Sequence, residues 1–145
     1  GLGLALAPIG AYLAVSGEFD IIPLLFSAAV LFWVSGFDII YSLQDEEFDK
    51  EQKLHSIPVL IGKKKALRLC KVLHLIAILI LCQIGNLGDF GKFYWIGFSI
   101  FAALLIYQHT LVKHNDLSKV NLAFFTTNGI ASVILGAFVI IEILN

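Results

Sequence analysis

Residues 21–53 read IIPLLFSAAVLFWVSGFDIIYSLQDEEFDKEQK, an apolar run that passes abruptly into a charged segment. The first 23 of these residues carry one charge, Asp38, whereas seven of the next ten are charged. A helix rises about 1.5 Å per residue, so about 20 apolar residues cross a hydrocarbon core of about 30 Å. The stretch is therefore predicted to be a transmembrane helix followed by a charged connection.

The composition of the 145 residues agrees with a membrane protein. Hydrophobic residues make up 59% and charged residues 14%, against roughly 45–50% and about 25% in soluble domains. The formal net charge of −1 provides no basic surface for nucleic acid. The two cysteines are too few for a disulfide framework.

Four further stretches lack any charge: 1–17, 72–88, 93–112 and 120–141. Two are long enough to span, and 72–88 becomes so when it is extended through 66–71, where basic side chains can snorkel. Residues 1–17 are interpreted as a span cut short. We expect an all-α, polytopic transmembrane bundle of about five spans, the chain 1–145 being part of a single domain. Its one long connection is 44–65.

The basic residues predict the orientation of the chain. Seven of the ten Lys and Arg lie in residues 50–71 and two in the connection 113–119, whereas the opposite side carries only Lys92. Five alternating spans place the first two regions on one side. The positive-inside rule makes that side cytoplasmic, so we expect an integral plasma (inner) membrane protein with the loop at 44–65 in the cytoplasm.

A polar stripe starts inside the second span. Asp38, Tyr41, Asp45 and Asp49 are spaced by 3, 4 and 4 residues, which places them on one face of a continuous helix. A carboxylate within a span normally faces a protein interior or a wet cavity. Asp45 and Asp49 suit Mg²⁺, which takes one or two carboxylates together with phosphate oxygens. The alternative is that the acids only solvate a cytoplasmic loop.

Basic residues follow the acidic ones. They provide counter-charge for a phosphate-bearing ligand, and the candidate substrate-binding residues are Lys53, His55, Lys63, Lys64 and Arg68. The alternative for the lysines at 63–65 is that they anchor the topology of the next span. For His55 the alternative is an ordinary loop histidine. Asn128 and His74 lie in apolar spans, where bonding or packing between helices is the expected role.

At these residues the chain resembles the UbiA superfamily of intramembrane aromatic prenyltransferases. The family carries an NDxxDxxxD motif and a later DxxxD motif, which DEEFD at 45–49 matches. Asp38 and Tyr41 match its usual lead-in, and LHSIP at 54–58 resembles the 4-hydroxybenzoate polyprenyltransferase-like branch. Two further stretches resemble that branch: APIGAY at 7–12 and NLAFFTTNG at 121–129. Lys53 departs from the family pattern, in which glycine is expected.

The resemblance implies a nine-helix fold, of which this chain would be helices 5 to 9. It implies Mg²⁺-dependent transfer of a polyprenyl group from its diphosphate to an aromatic acceptor. Asp38, Tyr41, Asp45 and Asp49 would be catalytic, and Asp45 and Asp49 would hold the metal. The aromatic residues of the chain would line an apolar cavity for the allylic cation, with Trp33, Phe37 and Tyr41 nearest to the DxxxD motif.

The NDxxDxxxD motif does not occur in the sequence. We therefore expect these residues alone to be inactive, and the missing N-terminal half of the chain to be a partner within the lipid bilayer. The acceptor is expected to be 4-hydroxybenzoate or a dihydroxynaphthoate, in ubiquinone or menaquinone biosynthesis. Two other functions stay open: a small cation channel or transporter that uses intramembrane aspartates, and a structural membrane subunit.

Overall fold

The computed structural model describes all 145 residues as a helical bundle without β-strands. The helices are α1 (Leu2–Ser16), α2 (Ile21–Ser42), α3 (Glu46–Glu51), α4 (Ile57–Ile61), α5 (Lys63–Leu87), α6 (Lys92–Leu111), a π-helix (Leu122–Thr127) and α7 (Asn128–Leu144). The only extended pairing is an isolated bridge between Lys113 and Asp116.

Four helical segments are long and apolar enough to cross a membrane. They are α2 with 22 residues, α5 with 25, α6 with 20 and the combined π-helix and α7 with 23. Helix α1 is also apolar but has only 15 residues. The prediction of an all-α transmembrane bundle is confirmed, with four full-length spans and a shorter first helix.

The spans pack in sequence order around two apolar clusters. Helix α2 packs against α1 and α5, and α6 packs against α7. One cluster joins the ends of α2 and α5 to the connection after α6, through Leu43, Ala66 and Val112. Both basic connections therefore lie at the same end of the bundle, as the alternation of five spans requires.

Helices α2 and α5 approach each other closely at Gly36. A Cβ atom added there would overlap the ring of His74, which is almost fully buried. His74 donates from Nε2 to the carbonyl oxygen of Trp33 at 3.2 Å, and its Nδ1 lies 3.0 Å from His109 Nε2. His74 of α5 thus contacts both α2 and α6, which confirms the packing role expected of it. A side chain at residue 36 would displace this network.

The opposite end of the bundle is closed by a carboxylate from the last helix. Glu142 accepts hydrogen bonds from the backbone N–H groups of Gly91 at 2.7 Å, Phe93 at 3.0 Å and Tyr94 at 3.1 Å. The first N–H groups of a helix have no partner within that helix. Glu142 satisfies three of them, and its negative charge opposes the positive end of the α6 dipole.

The segment 38–49 differs from the continuous helix that its spacing predicts. Helix α2 ends at Ser42, because the N–H groups of Leu43, Gln44 and Asp45 bond three residues back at 3.2–3.3 Å, which tightens the last turn. Helix α3 then begins after Asp45, whose side chain makes no capping hydrogen bond to the helix. The connection expected at 44–65 also contains α4, and α5 already begins at Lys63.

Candidate functional site

The two helices α2 and α3 position the four predicted catalytic residues. Asp38 and Tyr41 lie on the last turns of α2, whereas Asp45 precedes α3 and Asp49 lies within it. The backbone N–H of Asp49 donates to the carbonyl oxygen of Asp45 at 2.7 Å. Asp45 and Asp49 are thus one helical turn apart, as their spacing predicts, on a different helix from Asp38 and Tyr41.

Glu46 fixes the position of α3. Its side chain is buried, and its two carboxylate oxygens lie 2.6 Å from Lys50 Nζ and 3.2 Å from Lys63 Nζ. The hydrogen bond from Lys50, with a smaller contribution from Lys63, lowers the pKa of Glu46 although burial opposes this effect. The ionised carboxylate therefore connects α3 to the first turn of α5.

The carboxylates of Asp45 and Asp49 are in a different electrostatic situation. Both ion pairs between side chains involve Glu46, and neither Asp45 nor Asp49 belongs to one. Asp45 is exposed and Asp49 is half-buried. Two carboxylates one turn apart and without a basic partner are free to share a hard cation.

A polar cavity of about 290 Å³ lies beside Asp38, between α2 and the start of α4. The Asp38 side chain is 50% exposed, and its Oδ2 lies 3.2 Å from the Gly1 nitrogen. Ser56 lines the same cavity, and its Oγ is buried without a hydrogen-bond partner. The sequence alone did not single out Ser56, although this residue lies within LHSIP at 54–58 and directly precedes α4.

An aromatic groove lies further along α2. Phe37 and Tyr41 pack against Phe124 of the π-helix, with ring centroids 5.3 and 4.5 Å apart. A cavity of about 460 Å³ is lined by Trp33, Phe37, Phe124 and Phe125. Trp33 and Phe37 therefore line an apolar space as expected, and Tyr41 contacts its wall. Phe124 and Phe125 were missed, because only the π-helix brings them there.

The apolar space continues along the bundle. A second cavity of about 640 Å³ shares Pro8, Trp33 and Ser132 with the first. Trp33 also donates its indole N–H to Asn128 Oδ1 at 3.3 Å, which confirms the expected bonding of Asn128 between helices. Together the two cavities form a long groove between α1, α2 and α7.

The predicted substrate-binding residues occupy three places. Lys53 and His55 are exposed in the turn between α3 and α4, and Lys63 contacts Glu46. Lys64 and Arg68 line a separate cavity that no acidic residue lines. Lys53 has φ of 55°, in the left-handed region that favours glycine. This conformation accounts for the glycine that the family pattern leads us to expect at this position.

Comparison with known proteins agrees with these features. The model of the UbiA prenyltransferase family matches residues 1–130. A 4-hydroxybenzoate octaprenyltransferase of Aeromonas hydrophila subsp. hydrophila is 28% identical over 130 residues, covering 90% of this chain and 45% of the relative. One of Francisella tularensis subsp. novicida is 30% identical over 136 residues, covering 92% and 47%.

The chain spans about half the length of these curated relatives. No solved structure matches it significantly. The family match covers most of the chain, including the acidic segment, α1, α2 and the π-helix, and it ends within the first turn of α7. The chain is thus an integral membrane protein that belongs to the UbiA prenyltransferase family.

Proposed function

We propose that the protein transfers a polyprenyl group from its diphosphate to a small aromatic acceptor, with Mg²⁺ as cofactor. The acceptor is 4-hydroxybenzoate or a dihydroxynaphthoate, which places the reaction in ubiquinone or menaquinone biosynthesis. The protein acts in the plasma (inner) membrane, with α3 and α4 on the cytoplasmic side. The observation that carries the proposal is the pair Asp45 and Asp49, which are one turn apart and without a basic partner.

Asp45 and Asp49 are the residues that would hold the metal. Their carboxylates are the hard oxygen donors that Mg²⁺ takes, whereas the neighbouring Glu46 is already neutralised by two lysines. When bound, Mg²⁺ stabilises the negative charge that develops on the departing diphosphate. His55 and Lys53, exposed directly after α3, are the candidates for contact with that diphosphate.

The cavity beside Asp38 suits the polar end of the aromatic acceptor. Asp38 accepts a hydrogen bond from the acceptor's ring hydroxyl, which increases the electron density of the ring. Ser56 lines the same cavity and would offer a second polar contact once its buried Oγ turns toward the acceptor. The reacting ring then lies near Tyr41, one turn further along α2.

The aromatic groove suits the prenyl group. An allylic cation is stabilised by the faces of aromatic rings, and Phe37, Tyr41 and Phe124 provide such faces where the groove approaches Asp38. The apolar lining excludes water that would quench the cation. The continuation of the groove past Trp33 and Pro8 provides room for the prenyl tail.

The test is prenyl transfer by the full-length protein in membranes. Labelled polyprenyl diphosphate is supplied with either acceptor, first with Mg²⁺ and then with EDTA. Asp45→Asn and Asp49→Asn should each abolish product formation, whereas Glu51→Gln, on the same short helix, should leave it unchanged. Product from one acceptor that disappears with EDTA supports the proposal.

The same preparations test the alternative of a cation channel or transporter. Absence of product with either acceptor, from well-folded protein, would contradict the prenyltransferase proposal. Cation flux into liposomes that Asp38→Asn removes would then support the alternative, because Asp38 is the carboxylate within a span.

A further inference from the structure

A second cavity with a charged lining lies next to α5, and Lys64 lines it whereas Lys63 does not. It encloses about 330 Å³ between the first turns of α5 and the connection that follows α6. Eight residues line it: four are positively charged, Lys64, Arg68, Lys71 and Lys113, and two are the histidines His109 and His114. No acidic residue lines it, and none of the four charged residues belongs to an ion pair.

The basic groups come from two elements that face each other. Lys64, Arg68 and Lys71 are spaced by 4 and 3 residues, which places them on one face of α5. Lys113 and His114 follow the end of α6. Like charges at these spacings repel each other on a helix, so an anion held between the two elements would relieve this repulsion.

The carboxylate in the connection after α6 does not line the cavity. Asp116 follows Lys113 in the same connection, and its Oδ1 accepts hydrogen bonds from Ser118 N at 3.1 Å and Ser118 Oγ at 2.6 Å. The hydrogen bond from Ser118 Oγ contributes most to the lowered pKa of Asp116, and the charges of Lys119 and Lys113 contribute less. Asp116 therefore interacts with one lysine of the cavity but does not line it, and Lys64, Arg68 and Lys71 have no carboxylate partner.

The position of the cavity favours a lipid over a soluble anion. Its apolar lining is Leu67 and Val112, at the point where α5 and α6 enter the membrane. Directly beyond Lys71, helix α5 presents Val72, Leu75 and Leu79, each more than half exposed. A ligand with a phosphate in the cavity can therefore lay its acyl chains along this apolar surface.

We propose that the basic cavity between α5 and the connection after α6 binds the phosphate headgroup of an anionic membrane lipid. Basic pockets between transmembrane helices on the cytoplasmic side commonly bind such headgroups. Lysines that only anchor the topology need not share a cavity with residues of another element. Lys63 differs from its neighbour Lys64 in this respect, because it points to Glu46 and not into the cavity.

The experiment measures binding of phosphatidylglycerol with a fluorescent acyl chain to the detergent-solubilised full-length protein. Unlabelled phosphatidylglycerol should displace the probe, and phosphatidylcholine should not. Each charge removed should weaken binding about fivefold, and the two effects multiply. The double variant Arg68→Gln/Lys113→Gln should therefore weaken binding about 30-fold. The charge-preserving Arg68→Lys/Lys113→Arg should bind nearly normally.

The matched control is Lys65→Gln/Lys119→Gln, which removes the same charge from two exposed lysines at the same end of the bundle but outside the cavity. Equal weakening by this control would overturn the proposal, because it would indicate only a general charge effect. Displacement by inorganic phosphate as effective as that by phosphatidylglycerol would also overturn it in favour of a soluble ligand. If the first double variant does not fold, the single variants Lys64→Gln and Lys113→Gln replace it, with about fivefold weakening expected from each.

Discussion

Lys63 Nζ lies 3.2 Å from Glu46 Oε2, so the first residue of α5 contacts the first residue of the acidic helix α3. Lys50 occupies the other oxygen of the same carboxylate at 2.6 Å. This buried group connects the segment that carries Asp45 and Asp49 to a membrane span. The position of the metal candidates therefore depends on a residue that is not itself a candidate ligand.

The first prediction concerns Glu46→Gln. The amide keeps the shape but loses the charge, and hydrogen bonds to a charged group contribute about 1.5–3 kcal/mol. We expect the segment 44–56 to be cleaved faster by protease than in the unaltered protein, while the spans stay intact. Glu47→Gln, an exposed neighbour without an ion pair, is the control and should leave the cleavage rate unchanged.

The Glu46 carboxylate should also make the stability of α3 depend on pH. The folded pKa of Glu46 is lowered below its ordinary 4.5, mainly by the hydrogen bond from Lys50. Its stabilisation is therefore complete above about pH 4.5 and is lost as the pH falls through the lowered value. Proteolysis of the segment should accelerate with acid in the unaltered protein and show no such acceleration in Glu46→Gln. An identical acid response of both proteins would contradict this assignment.

The spans could be predicted from the sequence because the signal is local and strong. A run of 23 residues with one charge has few alternatives to a transmembrane helix. The end of α2 could not be predicted in the same way, because the polar spacing at 38–49 continues with helical period through the break. The helix ends there because the N–H groups of Leu43, Gln44 and Asp45 bond to carbonyl oxygens three residues back and not four.

The residues of the candidate site could likewise be predicted only where they are close together in the sequence. Asp45 and Asp49 were found because they are close in sequence. Phe124 reaches Tyr41 from more than 80 positions away, through a π-helix that has no sequence signature of its own. The lysines 63 and 64 are neighbours in sequence, yet successive helical residues point about 100° apart. The sequence therefore cannot state which of them faces Glu46.

Gly36→Ala tests the close approach of α2 and α5. The added methyl group would overlap the His74 ring, and overpacking of a tight core costs about 1–3 kcal/mol. Thermal unfolding in detergent should move to lower temperature. Gly129→Ala is the matched control, since nothing lies within 4 Å of an added Cβ there. A loss of stability that is equal in both variants would contradict the packing argument.

Lys53→Gly tests the turn between α3 and α4. The left-handed conformation, with φ of 55°, costs a lysine about 1 kcal/mol that glycine does not pay. The variant should slow proteolysis of the turn, whereas Glu47→Gly, within α3 and outside any ion pair, should accelerate it. If Lys53→Gly also leaves the KM for polyprenyl diphosphate unchanged, Lys53 is not a substrate contact and His55 alone remains in the turn.

Ser56→Ala separates stability from acceptor binding. The Ser56 Oγ is buried without a partner, so its removal takes away an unsatisfied polar group and should leave the melting temperature equal or higher. If the same oxygen contacts the acceptor, the KM for the aromatic acceptor should rise about 5- to 30-fold, the equivalent of one hydrogen bond. The KM for polyprenyl diphosphate should not change, because the aromatic groove is a different cavity.

Ser42→Ala is the control for that measurement. Ser42 lines the same cavity, but its hydroxyl already donates to the Ile39 carbonyl at 2.9 Å. It should therefore affect the acceptor KM less than Ser56→Ala does. A melting temperature that falls in Ser56→Ala would mean that the hydroxyl has a partner within the protein. An unchanged acceptor KM would remove Ser56 from the site and leave Asp38 as the polar contact of that cavity.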